Sequence, residues 1–219
     1  MKQLVGFVGW LVLSVCLVGQ PRAEAVILIN EVLADPSALF GDANGDGVIS
    51  TTQDEFVELV NTGSDPTPLA SWTLSDAFQV RHVFSVAAMI PAYSFFVVFG
   101  GGAPVGFANV ATASTGSLGL NNSGDTVTLW DALAMPVDLF TYGAAGGQDV
   151  SLTRFPDALG GFIQHSAVSN NAFSTETTVD GLRALPHDSA QSPVIPEPAT
   201  LLLLGLGLCG LPHKRLSKK

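Results

Sequence analysis

The residues best placed to do chemistry lie in one polar stretch, Asp42-Ala43-Asn44-Gly45-Asp46-Gly47-Val48-Ile49-Ser50. Side-chain oxygens stand at positions one, three and five of a loop, with Gly at six and an apolar residue at eight. That spacing suits a calcium ion. Alternate residues of a tight loop point inward, so Asp42, Asn44 and Asp46 can converge while Gly47 takes a turn that a Cβ would obstruct. The Val48 carbonyl supplies a main-chain ligand, and Ser50 can hold a water. Position twelve is Gln53 where a carboxylate is wanted, so Asp54 or Glu55 must swing in from just beyond it. The alternative is a plain acidic Asn-Gly turn.

Other candidates resolve to structure. His82, His165, His187 and His213 are scattered, with no spacing that would hold a transition metal. Asp157 and His165 lack a Ser on a strained, Gly-flanked turn to complete a hydrolytic triad. Glu55 and Glu58, three apart on a strand, point to opposite faces and cannot act as an acid/base pair. Gly100-Gly101-Gly102 lacks the Lys and helix of a phosphate cradle and reads as a sheet-end turn. Trp72, Trp130 and Tyr142 suit a core better than a sugar-stacking platform.

These residues need a scaffold, and the chain between 26 and 195 supplies a strand-rich one. Strand-like runs at 26–33, 55–61, 72–75, 82–86, 95–99, 126–130, 137–142 and 151–155 alternate with Gly, Pro, Asn and Asp clusters. Phe95-Phe96-Val97-Val98-Phe99 is apolar on both faces, the mark of a central buried strand. No internal helical periodicity appears, so an all-β sandwich is expected. Residues 166–193, rich in Ser, Asn, Thr and Pro, read as a flexible stalk.

Charge and cysteines narrow the function. Between 26 and 195 there are seventeen acidic residues and three arginines (Arg81, Arg154, Arg183), a net charge of −14. Such a surface cannot neutralise phosphates, which disfavours nucleic acid. Both cysteines, Cys16 and Cys209, fall outside this region, so it offers neither a thiol nucleophile nor a Cys-based zinc site.

The two ends read as addresses. Lys2, an apolar run over 4–18 and Ala23-Glu24-Ala25 describe a signal peptide over 1–25, cut after Ala25. An uncleaved anchor and a lipoprotein acylated at Cys16 are the alternatives. At the other end, Pro196-Glu197-Pro198, a Leu/Gly-rich segment over 201–211 and a basic tail resemble the PEP-CTERM sorting signal of Gram-negative bacteria. The resemblance implies recognition by an exosortase-type sorting enzyme. A transmembrane sorting segment over 194–219 is expected, with transient inner-membrane anchoring; a plain membrane anchor is the alternative.

Across the body, Ile29-Asn30-Glu31-Val32-Leu33-Ala34-Asp35-Pro36, then Asp54-Glu55-Phe56-Val57-Glu58-Leu59-Val60-Asn61, then Trp72-Thr73-Leu74-Ser75-Asp76 resemble the lamin-tail domain in its bacterial form. Arg154-Phe155-Pro156-Asp157, Gly160-Gly161-Phe162 and His165 are similar to that family's closing segment. The resemblance implies an immunoglobulin-like β-sandwich over 26–165 with a role in attachment and scaffolding. The polar insertion at 37–53 departs from the family pattern and resembles a dockerin-like calcium loop without its helices. Calcium is therefore the expected cofactor, held by Asp42, Asn44, Asp46, Val48, Asp54 and Glu55.

The resulting expectation is an exported, non-enzymatic binding or scaffold module at the cell surface or in the extracellular matrix. Its partners would be extracellular polysaccharide or envelope protein. A metal-dependent hydrolase of extracellular polymer, with Asp42, Asp46 and Glu55 as metal ligands, and a purely structural matrix protein are the rivals.

Overall fold

The computed structural model describes residues 26–185. Twelve strands carry the fold: β1 (Ile27–Leu33), β2 (Phe56–Asn61), β3 (Thr67–Pro68), β4 (Thr73–Ser75), β5 (Val80–Val83), β6 (Met89–Ile90), β7 (Phe95–Phe99), β8 (Val110–Thr112), β9 (Asp125–Trp130), β10 (Pro136–Tyr142), β11 (Leu152–Phe155) and β12 (Gly161–Gln164). They form a six-stranded sheet in the order β12-β11-β1-β2-β7-β8, a four-stranded sheet β10-β9-β4-β5 and a small β3-β6 pair. All pairings are antiparallel except β7 with β8. The architecture is all-β and consistent with an immunoglobulin-like fold.

The two large sheets pack through alternate residues of their strands. Ile27, Ile29, Val57, Leu59, Phe96 and Val98 from the six-stranded sheet meet Leu74, Val127 and Leu129 from the other in one core. The outer face of the six-stranded sheet is covered too. Phe56, Val97 and Phe99 lie under Phe107 and Phe173, while Val60 and Phe95 lie under Leu185. Every residue of β2 and of β7 is therefore buried, which is why Phe95–Phe99 carries no polar alternation.

That outer cover corrects the expected stalk. Residues 169–185 run back across the sheet as a strap, fixed by bonds such as Ser151 N to the Ala172 carbonyl (2.9 Å) and Leu185 N to the Tyr93 carbonyl (2.8 Å). Ser/Thr/Asn-rich composition suggested a solvated linker, but Phe173 and Leu185 anchor the segment.

One irregularity shapes the surface beneath the strap. The β1–β2 register shifts between Ile29 and Glu31, so Ile29 pairs with Leu59 while Glu31 pairs with Glu58. Asn30 is the extra residue of this bulge. Its side chain bonds to Glu58 and Asp157 and accepts from Ala158 N.

The expected transmembrane sorting segment, and with it the transient inner-membrane anchoring, requires correction. Among the described residues no helix is long and apolar enough to cross a membrane. The segment at 194–219 lies outside the described residues, as do the signal peptide at 1–25 and Cys16 and Cys209.

Candidate functional site

The polar insertion closes into a loop whose side chains bind its own backbone. Asp42 Oδ2 accepts from Gly47 N at 3.1 Å, Asn44 Oδ1 from Asp46 N at 2.9 Å, and Asp46 Oδ1 from Val48 N at 2.8 Å. Asp54 closes the circuit at the foot of β2. Its Oδ1 accepts from Asn44 N at 3.1 Å and its Oδ2 from Ser50 N at 2.8 Å. Gly47 sits at φ +85°, the left-handed turn expected of it. Asp42, Asn44, Asp46 and Asp54 are thus brought to one place.

A second loop, following β7, forms the wall. Asn44 Nδ2 donates to the Gly101 carbonyl at 3.3 Å, Val105 N to the Asn44 carbonyl at 2.9 Å, and Ala103 N to Asp46 Oδ2 at 3.0 Å. The triple glycine is explained by this contact. A Cβ on Gly102 would lie 2.5 Å from Asp46 Oδ2 and 2.4 Å from Asn44 Nδ2, and one on Gly100 would strike the Thr52 carbonyl. Gly100 and Gly102 thus let this sheet-end turn lie close against the polar loop, a contact that the sequence alone does not reveal. Its only trace there is the run of glycines itself, without a phosphate motif to account for it.

Electrostatics separate the acids. The amides of Ala103 and Val48 hold Asp46 below the usual carboxylate range. Burial pushes Asp54 up against the pull of two backbone amides, and the nearby charges of Asp42 and Asp46 add to the rise. The remaining oxygen of Asp42, Oδ1, is buried without a hydrogen-bond partner. A cation bound at that oxygen would satisfy it. Among the described residues no three His, Cys, Asp or Glu side chains stand together as a ready-made metal group. A cation here would draw on fewer than three of the loop's carboxylates as placed, with the Asn44 amide oxygen and the Val48 carbonyl completing a mixed set.

Glu55 does not join that set. Adjacent residues of extended chain face opposite ways, so Asp54 turns to the loop while Glu55 turns inward toward Leu120 N, which donates to it at 3.4 Å. Glu55 is 4% exposed, and burial pushes its carboxyl up to about 7. Its inclusion as a metal ligand is thereby corrected. Nearby, Asp76 accepts from Arg81 Nε at 2.7 Å, Asp125 accepts from Ala77 N and Asn121 N, and the buried Tyr142 hydroxyl has no hydrogen-bond partner.

The other candidates are held apart. His165 Nδ1 meets the Asn171 carbonyl at 2.9 Å, and Asp157 binds Asn30 and Val179 N, so no relay joins them. His82 contacts the Ser114 hydroxyl at 3.2 Å and packs edge-on against Phe84. Trp130 bonds through Nε1 to Ser75 Oγ, and Trp72 lies against the main core. The sorting-motif residues Pro196, Glu197 and Pro198 lie outside the described residues.

Comparison with known families adds two findings. The Lamin Tail Domain family model matches residues 20–144, and the PEP-CTERM protein-sorting motif matches residues 194–211. No curated protein matches the chain. The first match covers β1 through β10. It ends before β11, β12 and the strap, although β11 pairs directly with β1 in the same sheet.

Proposed function

The chain belongs to the lamin tail domain family, and from that premise we propose that it is an exported, non-enzymatic binding or scaffold module stabilised by calcium. The PEP-CTERM motif implies processing by an exosortase-type enzyme and supports an exported or surface-associated protein. Extracellular polysaccharide or envelope protein is the proposed ligand class.

The observation that carries this reading is how the polar side chains are used. Asp46, Asp54, Glu31 and Glu58 each accept from backbone amides that fix loops or strap to the sandwich. Groups so committed hold shape; they are not poised over a cleft. The hydrolase alternative loses its third ligand, because Glu55 faces Leu120 and not Asp42 or Asp46.

The test is retention of the exported protein on secreted polysaccharide and on envelope extract, with calcium and with chelator. Saturable retention without turnover of the polymer is the expected result. Polymer cleavage that disappears in an Asp42→Ala/Asp46→Ala variant would restore the hydrolase reading, and no retention on any fraction would leave a purely structural matrix role.

A further inference from the structure

The strap is pinned to the sheet by carboxylates presented from below. Because of the bulge at Asn30, Glu31 and Glu58 stand opposite each other on β1 and β2, both with no solvent exposure. Ser174 donates to Glu31 through its amide (2.9 Å) and its hydroxyl (2.8 Å), and Glu176 N donates to Glu58 Oε2 at 2.7 Å. Val179 N donates to Asp157 Oδ2 at 3.1 Å. The strap's own Glu176 carboxylate turns the other way, accepting from Ala108 N at 2.7 Å and from Asn109 N.

No cation neutralises this buried pair. The three arginines of the described residues pair with Asp76, Asp138 and Glu176, the last with Arg183 at 3.9 Å and largely exposed. The other titratable groups facing the pair or the strap are Asp157 from the β11–β12 turn, His165 from the turn after β12, and Asp180 of the strap. Two like charges buried side by side repel strongly at low dielectric, so the docked arrangement favours a proton on the pair.

We propose that residues 169–185 form a pH-sensitive strap, docked while the Glu31–Glu58 pair holds a proton and lifting as the pair becomes fully ionised. The strap is the last described segment before the sorting motif, and Leu185 stands eleven residues ahead of Pro196. Lifting it lengthens the tether between the sandwich and that motif from at most about 40 Å to about 90 Å, counted from Ser169.

The direction follows from linkage. Burial, with the nearby charge of Asp157, raises Glu31 to about 7; burial, with the charge of Glu31, raises Glu58 well above its ordinary value. With the strap lifted, both reach water and return toward 4.5. Docking therefore takes up protons: it is fully favoured below pH 4.5 and weakens as pH rises through about 7. Asp157, raised by burial, pulls the same way. His165, held down by burial, opposes it only as pH falls below about 6.5.

Hydrogen exchange read by mass spectrometry on the full chain, corrected for the intrinsic pH dependence of exchange, tests this. Protection over 170–182 is expected to fall about tenfold or more between pH 5 and pH 8, a larger fall than that of β2 and β7. In Glu31→Gln/Glu58→Gln most of this pH dependence should vanish, leaving only the part that Asp157 carries. Strap and core losing protection by the same factor, or a strap indifferent to pH, would overturn the proposal, and the wild-type comparison decides this even if the double variant fails to fold. Ser174→Ala removes one Glu31 donor without removing a titrating group, so strap protection should drop at both pH values. Unchanged protection in that variant would also count against the strap.

Discussion

At the scale of single residues, the loop's behaviour turns on Asp42, Asp46 and Asp54, which one hydrogen-bonded loop links without bringing the three together as a ready-made metal group. Without a cation their charges repel, and the insertion bears the entropy of ordering a long loop. A cation that only the folded loop can gather raises stability by mass action. With Gln53 at position twelve, affinity should sit at the weak extracellular end, roughly 0.1–1 mM, giving about 1 kcal/mol at ordinary millimolar calcium. Thermal unfolding in calcium, in magnesium and in chelator checks this: calcium should raise the midpoint, and magnesium, which demands tighter octahedral geometry, should do little. Equal midpoints in all three, or an Asp42→Ala/Asp46→Ala variant that responds like wild type, would remove the site. A second residue-scale test is Gly102→Ala. At φ +77°, with Asp46 Oδ2 and Asn44 Nδ2 inside contact distance of a new Cβ, it should cost about 1–3 kcal/mol and abolish any calcium response. A variant with wild-type stability and calcium response would show that the glycine wall is dispensable.

At the scale of elements, the bulge in β1 does more than bend a strand. It turns Asn30 toward Glu58, Asp157 and Ala158 N, tying β1 to β2 and to the β11–β12 turn. Asn30→Ala leaves a buried amide and a buried carboxylate short of partners, so unfolding experiments should show a loss of about 1–3 kcal/mol; a loss below half that would mean water replaces the amide freely. Much of this layer was legible beforehand. Alternation in Thr126-Val127-Thr128-Leu129 and the double-faced run 95–99 marked β9 and β7 because side-chain period reports burial directly. The short strands β3, β6, β8 and β12 carry two to four residues, too few for a period to show. The loop's ligand spacing was readable because it is local. The turning away of Glu55 was not: it depends on Leu120, sixty-five residues on. The strap was hidden for the same reason, since Ser174 and Glu31 meet across 143 residues of sequence.

At the scale of the whole molecule, one address and one titration curve remain. The sorting motif at 194–211 predicts that substituting Pro196 and Glu197 leaves the following segment on the exported protein; mass spectrometry finding that segment on the wild type as well would contradict processing. The pH dependence of stability follows from the buried acids. Glu31 and Glu55 are pushed to about 7 and Glu58 is raised well above its ordinary value, all chiefly by burial. Unfolding returns each toward 4.5, so the folded state holds extra protons across that interval. Stability from these groups is complete below pH 4.5 and is lost as pH rises through about 7. His82 and His165 run the other way, since burial lowers both and unfolded histidines take up protons below about 6.5. Asp54 and Asp157 are raised as well, so five raised carboxyls outweigh two lowered imidazoles and the folded state is more stable acid of neutrality than above it. Glu55 isolates the effect, because it lies apart from the strap. Glu55→Gln keeps an acceptor for Leu120 N but cannot ionise. Relative to wild type it should gain on the order of 2 kcal/mol between pH 5 and pH 8, about 4–8 °C in midpoint. Parallel stability–pH curves for the two proteins would show that Glu55 ionises in the folded state at little cost.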